Sequence, residues 1–318
     1  MRARLTGVVV AGLLVASMAG CAAPKAPEAS AGSSSNAVQV SGTFGQAPKV
    51  TFPTPLKPQA TQCTEVIAGS GPHLEEGQFV IVGVSLLNGT TGTLIQELGF
   101  PGSDRVTVTA GDSVLPGLTK ALTCARSGSR VVAVATSADM FGEQGNADLK
   151  VQADDSIVMV IDVLKSYPAR ANGTPVLSKD GFPAVVLSPD GRPGITVPHN
   201  NPPISSGTSV ETLLQGSGEV VKDGDTVVVQ YTGVTWADGK VFDSSWAKQQ
   251  PQPFKVTLGA DSTNIPGFSK AIIGQKVGSQ VGAIVSPADG YGEKASQQIP
   301  ANSTLFFVID ILGIYPAQ

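Results

Sequence analysis

The chain is written twice, and this limits its fold more than any single motif. Residues 115–142 and 265–292 align without a gap and share 11 of 28 positions, among them Pro116, Gly117, Lys120, Asp139 and Gly142 of the first copy. Residues 77–97 align with 224–244, and 158–164 (VMVIDVL) with 306–312 (FFVIDIL). The lead-ins 49–55 and 194–203 are both strand-like segments ending in proline. A unit this long is a domain, since solenoid repeats run to roughly 20–50 residues. The expected organisation is a domain at 49–168, a turn-rich linker at 169–182 and a second domain at 183–318.

Within each unit the pattern is that of sheet. Residues 226–233 (TVVVQYTG) alternate, with Val227, Val229 and Tyr231 on one face. Runs at 240–243, 254–258, 279–285 and 304–312 are β-rich, and Asp238-Gly239 marks a hairpin turn. Only one segment of the second unit is helical in pattern. Pro266 suits a first turn, Phe268, Ala271 and Ile272 fall on one stripe, and Gly274 can end it. The expected fold class is α+β, two domains of mainly antiparallel sheet, each with one short α-helix covering a face.

Composition narrows the chemistry. Net charge is −4 and only 14% of residues are charged, which argues against a nucleic-acid partner. With two histidines (His73, His199) and three cysteines, a four-ligand zinc site is nearly excluded. Phosphate-loop, dinucleotide, nucleophile-elbow and zinc-protease motifs are absent from the sequence. An enzyme built on this chain needs a reaction without metal, cofactor or nucleophile.

Arg2 and Arg4 precede an uncharged run at 5–20, the pattern of a signal peptide over 1–20. The run falls short of the ~20 residues of a spanning helix, the competing reading. Met18-Ala19-Gly20-Cys21 resembles the bacterial lipobox, with Met18 where Leu is commoner. The resemblance implies that Cys21 carries a diacylglyceryl group and becomes the N-terminus, placing the protein outside the cytoplasm on a membrane. Residues 21–48 then read as the lipid-anchor cysteine and a tether, too poor in apolar bulk to fold. Cys63 and Cys124 remain, an even pair in an oxidising compartment, and are expected to form a disulfide. The alternative is two buried thiols.

The second unit carries a set of short motifs in order. They are Tyr231-Thr232-Gly233, Phe242-Asp243-Ser244-Ser245, Pro253-Phe254, Ile265-Pro266-Gly267-Phe268, Tyr291-Gly292, Ile299-Pro300 and Phe306-Phe307. Their order and spacing over 206–318 resemble FKBP-type peptidyl-prolyl cis–trans isomerases. The resemblance implies a curved antiparallel sheet wrapped round one short helix. It implies Tyr231, Asp243 and Tyr291 as catalytic residues, with Phe242, Phe254, Ile265, Phe268, Ile299 and Phe307 binding substrate. Tyr291 hydroxyl and Ile265 N–H would hold substrate carbonyls, while Asp243 and Tyr231 shape the wall. Partners implied are proline-containing polypeptides and macrolide ligands, with no cofactor. The competing function is a non-enzymatic, surface-anchored binding module. Phe268 stands where the family usually has Trp, and the loop 293–298 lacks the bulky residues often found there.

The first unit has lost this set. By alignment Tyr231 matches Val84, Phe242 matches Ile95, Asp243 matches Gln96, Phe254 matches Val106, Tyr291 matches Phe141 and Phe307 matches Met159. The reading is an active second domain and a first domain kept for structure, substrate holding or docking.

Overall fold

The computed structural model describes residues 27–111, 115–199, 204–259, 263–295 and 298–316. Cys21 and the apolar run 5–20 lie outside them. Among the described residues no helix is long and apolar enough to cross a membrane.

The first repeat contains α1 (Ser33–Asn36), β1 (Gln39–Ser41), β2 (Lys49–Thr51), β3 (Gln62–Ile67), β4 (Phe79–Asn88), β5 (Leu94–Leu98), β6 (Val106–Thr109), α2 (Pro116–Thr123), β7 (Arg130–Ala135), α3 (Ser137–Met140) and β8 (Ile157–Ser166). The second contains β9 (Thr174–Pro175), β10 (Ala184–Leu187), β11 (Pro193–Thr196), β12 (Thr208–Gln215), β13 (Thr226–Thr235), β14 (Val241–Ser244), β15 (Gln252–Lys255), α4 (Pro266–Ile272), β16 (Gln280–Val285) and β17 (Leu305–Tyr315). The main sheets run β3-β7-β8-β4-β5, with β6 also on β4, and β9-β12-β16-β17-β13-β14, with β15 also on β13. All pairs within them are antiparallel.

Local chemistry sets the elements. Pro116 and Pro266 each open a helix at its first turn, where the missing N–H is no loss. A Cβ on Gly267 would stand 2.4 Å from Val285, so α4 needs glycine to lie this close to β16. The strand expected at 254–258 is found at Gln252–Lys255 and includes Pro253. β15 pairs with β13 alone, an edge position that tolerates proline.

One expectation is corrected. From residue 27 onward the stretch 21–48 is folded rather than disordered. Ser34 and Ser35 N–H groups both donate to Gln62 Oε1 (2.9 and 3.3 Å), and Ala29 and Val38 are buried. The β1–β2 hairpin lays Val40, Val50 and Phe52 over Val132, Val134, Val158 and Val160 on the back of the sheet. Serine-rich composition hid this because the serines serve a sheet edge rather than a core. The linker 169–182 is likewise docked, with β9 paired to β12 and the Ala171 N–H donating to Asp310 (2.8 Å). The β10–β11 hairpin then covers the back of the second sheet, placing Val185, Ile195 and Val197 against Trp236, Ile284 and Phe306. Each sheet is therefore apolar on both faces, with helix on one side and hairpin on the other. This is why β8 and β17 read as continuous apolar runs rather than alternating ones.

Cys63 on β3 is bonded to Cys124 at the end of α2, so the two-thiol alternative falls. A closure across 61 residues of sequence stabilises by about 3–4 kcal/mol in the chain-entropy model. The repeats meet along Phe79, Ile81, Tyr167, Val228 and Leu312. Lys165 Nζ donates to Ile314 O (2.7 Å), and the Arg105 guanidinium lies 5.0 Å from the Tyr315 ring centroid.

Candidate functional site

The open side of the second sheet carries an aromatic cavity of about 190 Å³. Tyr231 comes from β13, Phe307 from β17, Phe242 and Asp243 from β14, and Phe254 from β15. Ile265 and Phe268 come from the start of α4, Tyr291 from the turn after Pro287–Asp289, and Thr263 and Asn264 complete the wall. Strand alternation explains the grouping. Tyr231 and Gly233 share a face, and Phe307 is the register partner of Gly233. A Cβ on Gly233 would stand 2.5 Å from the Phe242 ring and 2.8 Å from Phe307, so the glycine makes room for both.

Phe268 is the hub. Its ring centroid lies 5.6 Å from Tyr231, 5.1 Å from Phe254 and 5.7 Å from Phe307, in tilted or edge-on contact. Such pairs favour this geometry over face-to-face stacking and lock the floor. Ile299 is buried in the core cluster that holds Tyr231, Phe268 and Phe307 and is not among the described residues lining the cavity. Ile265 is the N-cap of α4 with extended backbone, so its N–H lies outside the helical ladder.

The polar groups form one chain. Tyr231 hydroxyl donates to Asp243 Oδ2. Lys248 Nζ (2.8 Å) and the Ser244 N–H (2.9 Å) both donate to Asp243 Oδ1. Burial pushes the Asp243 carboxyl upward, but Lys248, Tyr231 and the Ser244 N–H outweigh it and hold the group below the ordinary carboxylate value. Burial, then the hydrogen bond and charge of Asp243, push the Tyr231 hydroxyl well above its ordinary value. Tyr291, 42% exposed at the mouth, is raised by burial and by the charge of Asp243. The wall therefore carries a fixed carboxylate and two protonated hydroxyls at neutral pH. Among the described residues no His/Cys/Asp/Glu group is arranged to hold a metal.

Sequence reasoning did not find Lys248, Thr263, Asn264 or the role of Gly233. A cation five residues after Asp243 on the same loop was the available signal for Lys248.

In the first repeat, Val84, Ile95, Gln96 and Met159 stand at the matched positions, as the strand registers require, and Phe141 follows α3 as Tyr291 follows Pro287–Asp289. The counterpart of Phe254 is corrected from Val106 to Val108. Val108 pairs with Val80 as Phe254 pairs with Val227. Leu86 stands where Gly233 does, with Met159 its register partner, and packs on the core where the second repeat has open space.

The second repeat is thus a sheet domain wrapped on one helix that holds an aromatic cavity with a fixed polar wall. A family model described as FKBP-type peptidyl-prolyl cis-trans isomerase matches residues 218–312. An FK506-binding protein of Streptomyces anulatus is 31% identical over 125 residues, 39% of this chain and 97% of that protein. FKBP-type peptidyl-prolyl cis-trans isomerase FkpA of Escherichia coli K12 is 37% identical over 113 residues, 36% of this chain and 40% of FkpA. The chain thus spans about two fifths of the length of FkpA. A solved structure of the three FKBP domains of wheat FKBP73 overlaps 80% of this chain at 21% identity and a TM-score of 0.35. The chain belongs to the FKBP-type peptidyl-prolyl cis–trans isomerase family.

Proposed function

We propose that the second repeat isomerises Xaa–Pro bonds in exported polypeptides, and that the first is a second FKBP-like domain without a working site. The observation that carries this is the aromatic cavity bounded by the Tyr231–Asp243–Lys248 chain, with Tyr291 at its mouth. Rotation about the bond must surmount about 18–20 kcal/mol because amide resonance is lost. The two ground states differ by only about 0.5–1 kcal/mol, so the task is rate. A twisted amide has a less polarised carbonyl and suits an apolar enclosure better than water does. Each ~1.36 kcal/mol of preference for the twisted form gives tenfold in rate. Tyr291 hydroxyl and Ile265 N–H hold the flanking carbonyls while Asp243 and Tyr231 face the turning amide. No proton moves, which accords with the fixed protonation of the wall. Macrolides that present a proline-like ring fit the same cavity as competitors.

The proposal includes a lipid on Cys21 that anchors the protein at the outer face of a membrane. Exchange NMR on an Xaa–Pro peptide with the full mature chain tests the catalysis. Faster cis–trans exchange is expected, and binding without faster exchange means a non-enzymatic module instead. Cys21→Ala is expected to release the protein from membranes on fractionation.

A further inference from the structure

A cleft of about 360 Å³ opens between the repeats. Glu75 and Glu76, just before β4, form one wall, Arg170 and Arg192 another, and Gln230 and Trp246 belong to the second repeat. Gln230 neighbours Tyr231 on β13 and therefore faces the opposite side of the sheet from the aromatic cavity. The two sites nonetheless share one loop, since residues 245–250 bring Lys248 to Asp243 and Trp246 to the cleft.

The polar groups of the cleft differ in how far they are satisfied. Arg170 Nη1 donates to Pro189 O (2.8 Å) and Arg192 Nη2 to Trp246 O (3.5 Å), so each guanidinium is tied to a carbonyl of the protein. Asp190 also lines the cleft, and its carboxylate accepts from Ser188 hydroxyl and from the Arg192 N–H (3.2 Å). Glu75 and Glu76 are exposed and enter no ion pair among the described residues. Gln230 is only 2% exposed, its Oε1 accepts from Ser245 hydroxyl (2.5 Å), and its Nε2 has no acceptor among the described residues. Trp246 is 6% exposed and its Nε1 is likewise without an acceptor. Trp246 Nε1 is closed off from the cleft, whereas Gln230 Nε2 reaches its surface without a protein acceptor, and a donor held so in a cleft wall points to an acceptor brought by a ligand. Three carboxylates against two guanidiniums favour a cationic group beside them.

We propose that this cleft is a second subsite for the polypeptide substrate, taking a chain segment that flanks the proline and carries Lys or Arg. A backbone carbonyl of the segment accepts from Gln230, and its cation lies against Glu75 and Glu76. The proposal rests on the isomerase reading of the aromatic cavity.

The test compares, on the full chain, a short Xaa–Pro peptide with peptides extended by ~8 residues on either side, roughly 26 Å of chain. The extensions carry either Lys or Glu. For one side, the Lys extension is expected to raise kcat/KM about fivefold or more over the short peptide. Glu75→Gln with Glu76→Gln brings that ratio back toward one. Equal kcat/KM for Lys and Glu extensions on both sides, or an advantage that survives the double substitution, overturns the subsite. If no peptide is isomerised, the isomerase reading fails separately. The cleft is then judged by fluorescence anisotropy with a labelled, proline-free Lys peptide. Binding weakened by the double substitution is expected, and absence of binding overturns the proposal.

Discussion

The two repeats keep one polar network and part company over another. In the first, Lys120 Nζ bonds Asp139 (2.8 Å) while Thr61 hydroxyl donates to the same carboxylate. In the second, Lys270 and Thr208 hold Asp289 in the same way, at 2.8 and 2.7 Å. Each clamp ties the helix, the edge of the sheet and the turn after its inner strand. Both aspartates are held below the ordinary value, the pull of the lysine and threonine outweighing the upward push of burial. The Tyr231–Asp243–Lys248 chain has no such twin, because Val84 and Gln96 offer neither hydroxyl nor charge. Identity between the copies thus marks scaffold, and the site is legible where the copies disagree.

The sharpest way to break this contrast is to remove the cavity from the intact chain. Asp243→Leu with Phe268→Ala is expected to cut isomerisation by at least about a hundredfold, or ~2.7 kcal/mol of transition-state stabilisation. Any rate that survives, with circular dichroism unchanged, is shared between what remains of this cavity and the first repeat. A surviving rate near that of the parent would falsify the assignment of the site.

The last strands differ next. Asp162 on β8 is held by Arg130 Nε (2.5 Å) and Nη2 (2.7 Å) and accepts from the Gly45 N–H (2.7 Å). Arg130 also reaches the carbonyls of Gly42, Thr43 and Gln46, so the pair fastens the β1–β2 turn. At the matched place Asp310 on β17 has Gln280 Nε2 (2.7 Å) and the Ala171 N–H. Arg130→Gln copies the second arrangement into the first and leaves a buried carboxylate without its cation. A loss of about 3–5 kcal/mol in denaturant unfolding of the first repeat is expected. A loss below ~1 kcal/mol would mean the carboxylate finds another partner.

Asp310 supplies the converse. Burial raises its carboxyl from the ordinary 3.8 to about 6, against the Ala171 N–H, Gln280 and the more distant Arg170. Because the folded state binds this proton more tightly than the unfolded chain does, the contribution to stability is complete below about pH 4 and is lost as pH rises through about 6. Its size is roughly 2–3 kcal/mol. Thermal melts between these pH values, with Asp310→Asn beside the parent, read the difference. Identical pH slopes for the two proteins would remove Asp310 from the account.

The smallest effect is at the mouth of the cavity. Tyr291→Phe makes the second repeat resemble Phe141 of the first, deleting one hydroxyl and leaving the walls. A loss of about two- to tenfold in kcat/KM is expected, the worth of one hydrogen bond. A loss as large as that of the double substitution would show that orientation by Tyr291, not enclosure, sets the rate.

Much of the cavity was legible because its residues fall in short runs whose spacing survives on strands, as Phe242-Asp243 and Ile265-Pro266-Gly267-Phe268 do. The single helix of the second repeat was legible from Pro266 and the stripe that follows it. The hairpins over the backs of the sheets were not, since β1 and β10 are short and half-exposed and their value lies in what they cover. The Val108 register escaped the alignment because the loop between β5 and β6 differs in length from its counterpart. Lys248 was hidden because its partner is settled by how a loop folds back, not by period.

The strand that finishes each sheet is its middle one, β8 between β4 and β7, and β17 between β13 and β16. A ribosome delivers the chain from its N-terminus at about 5–20 residues per second. The halves of the second sheet therefore wait, unjoined, until residues 305–315 arrive, while the first repeat is already able to close. Phe307, one wall of the cavity, sits on that late strand. The cavity of a nascent copy consequently lacks that wall until β17 has been made.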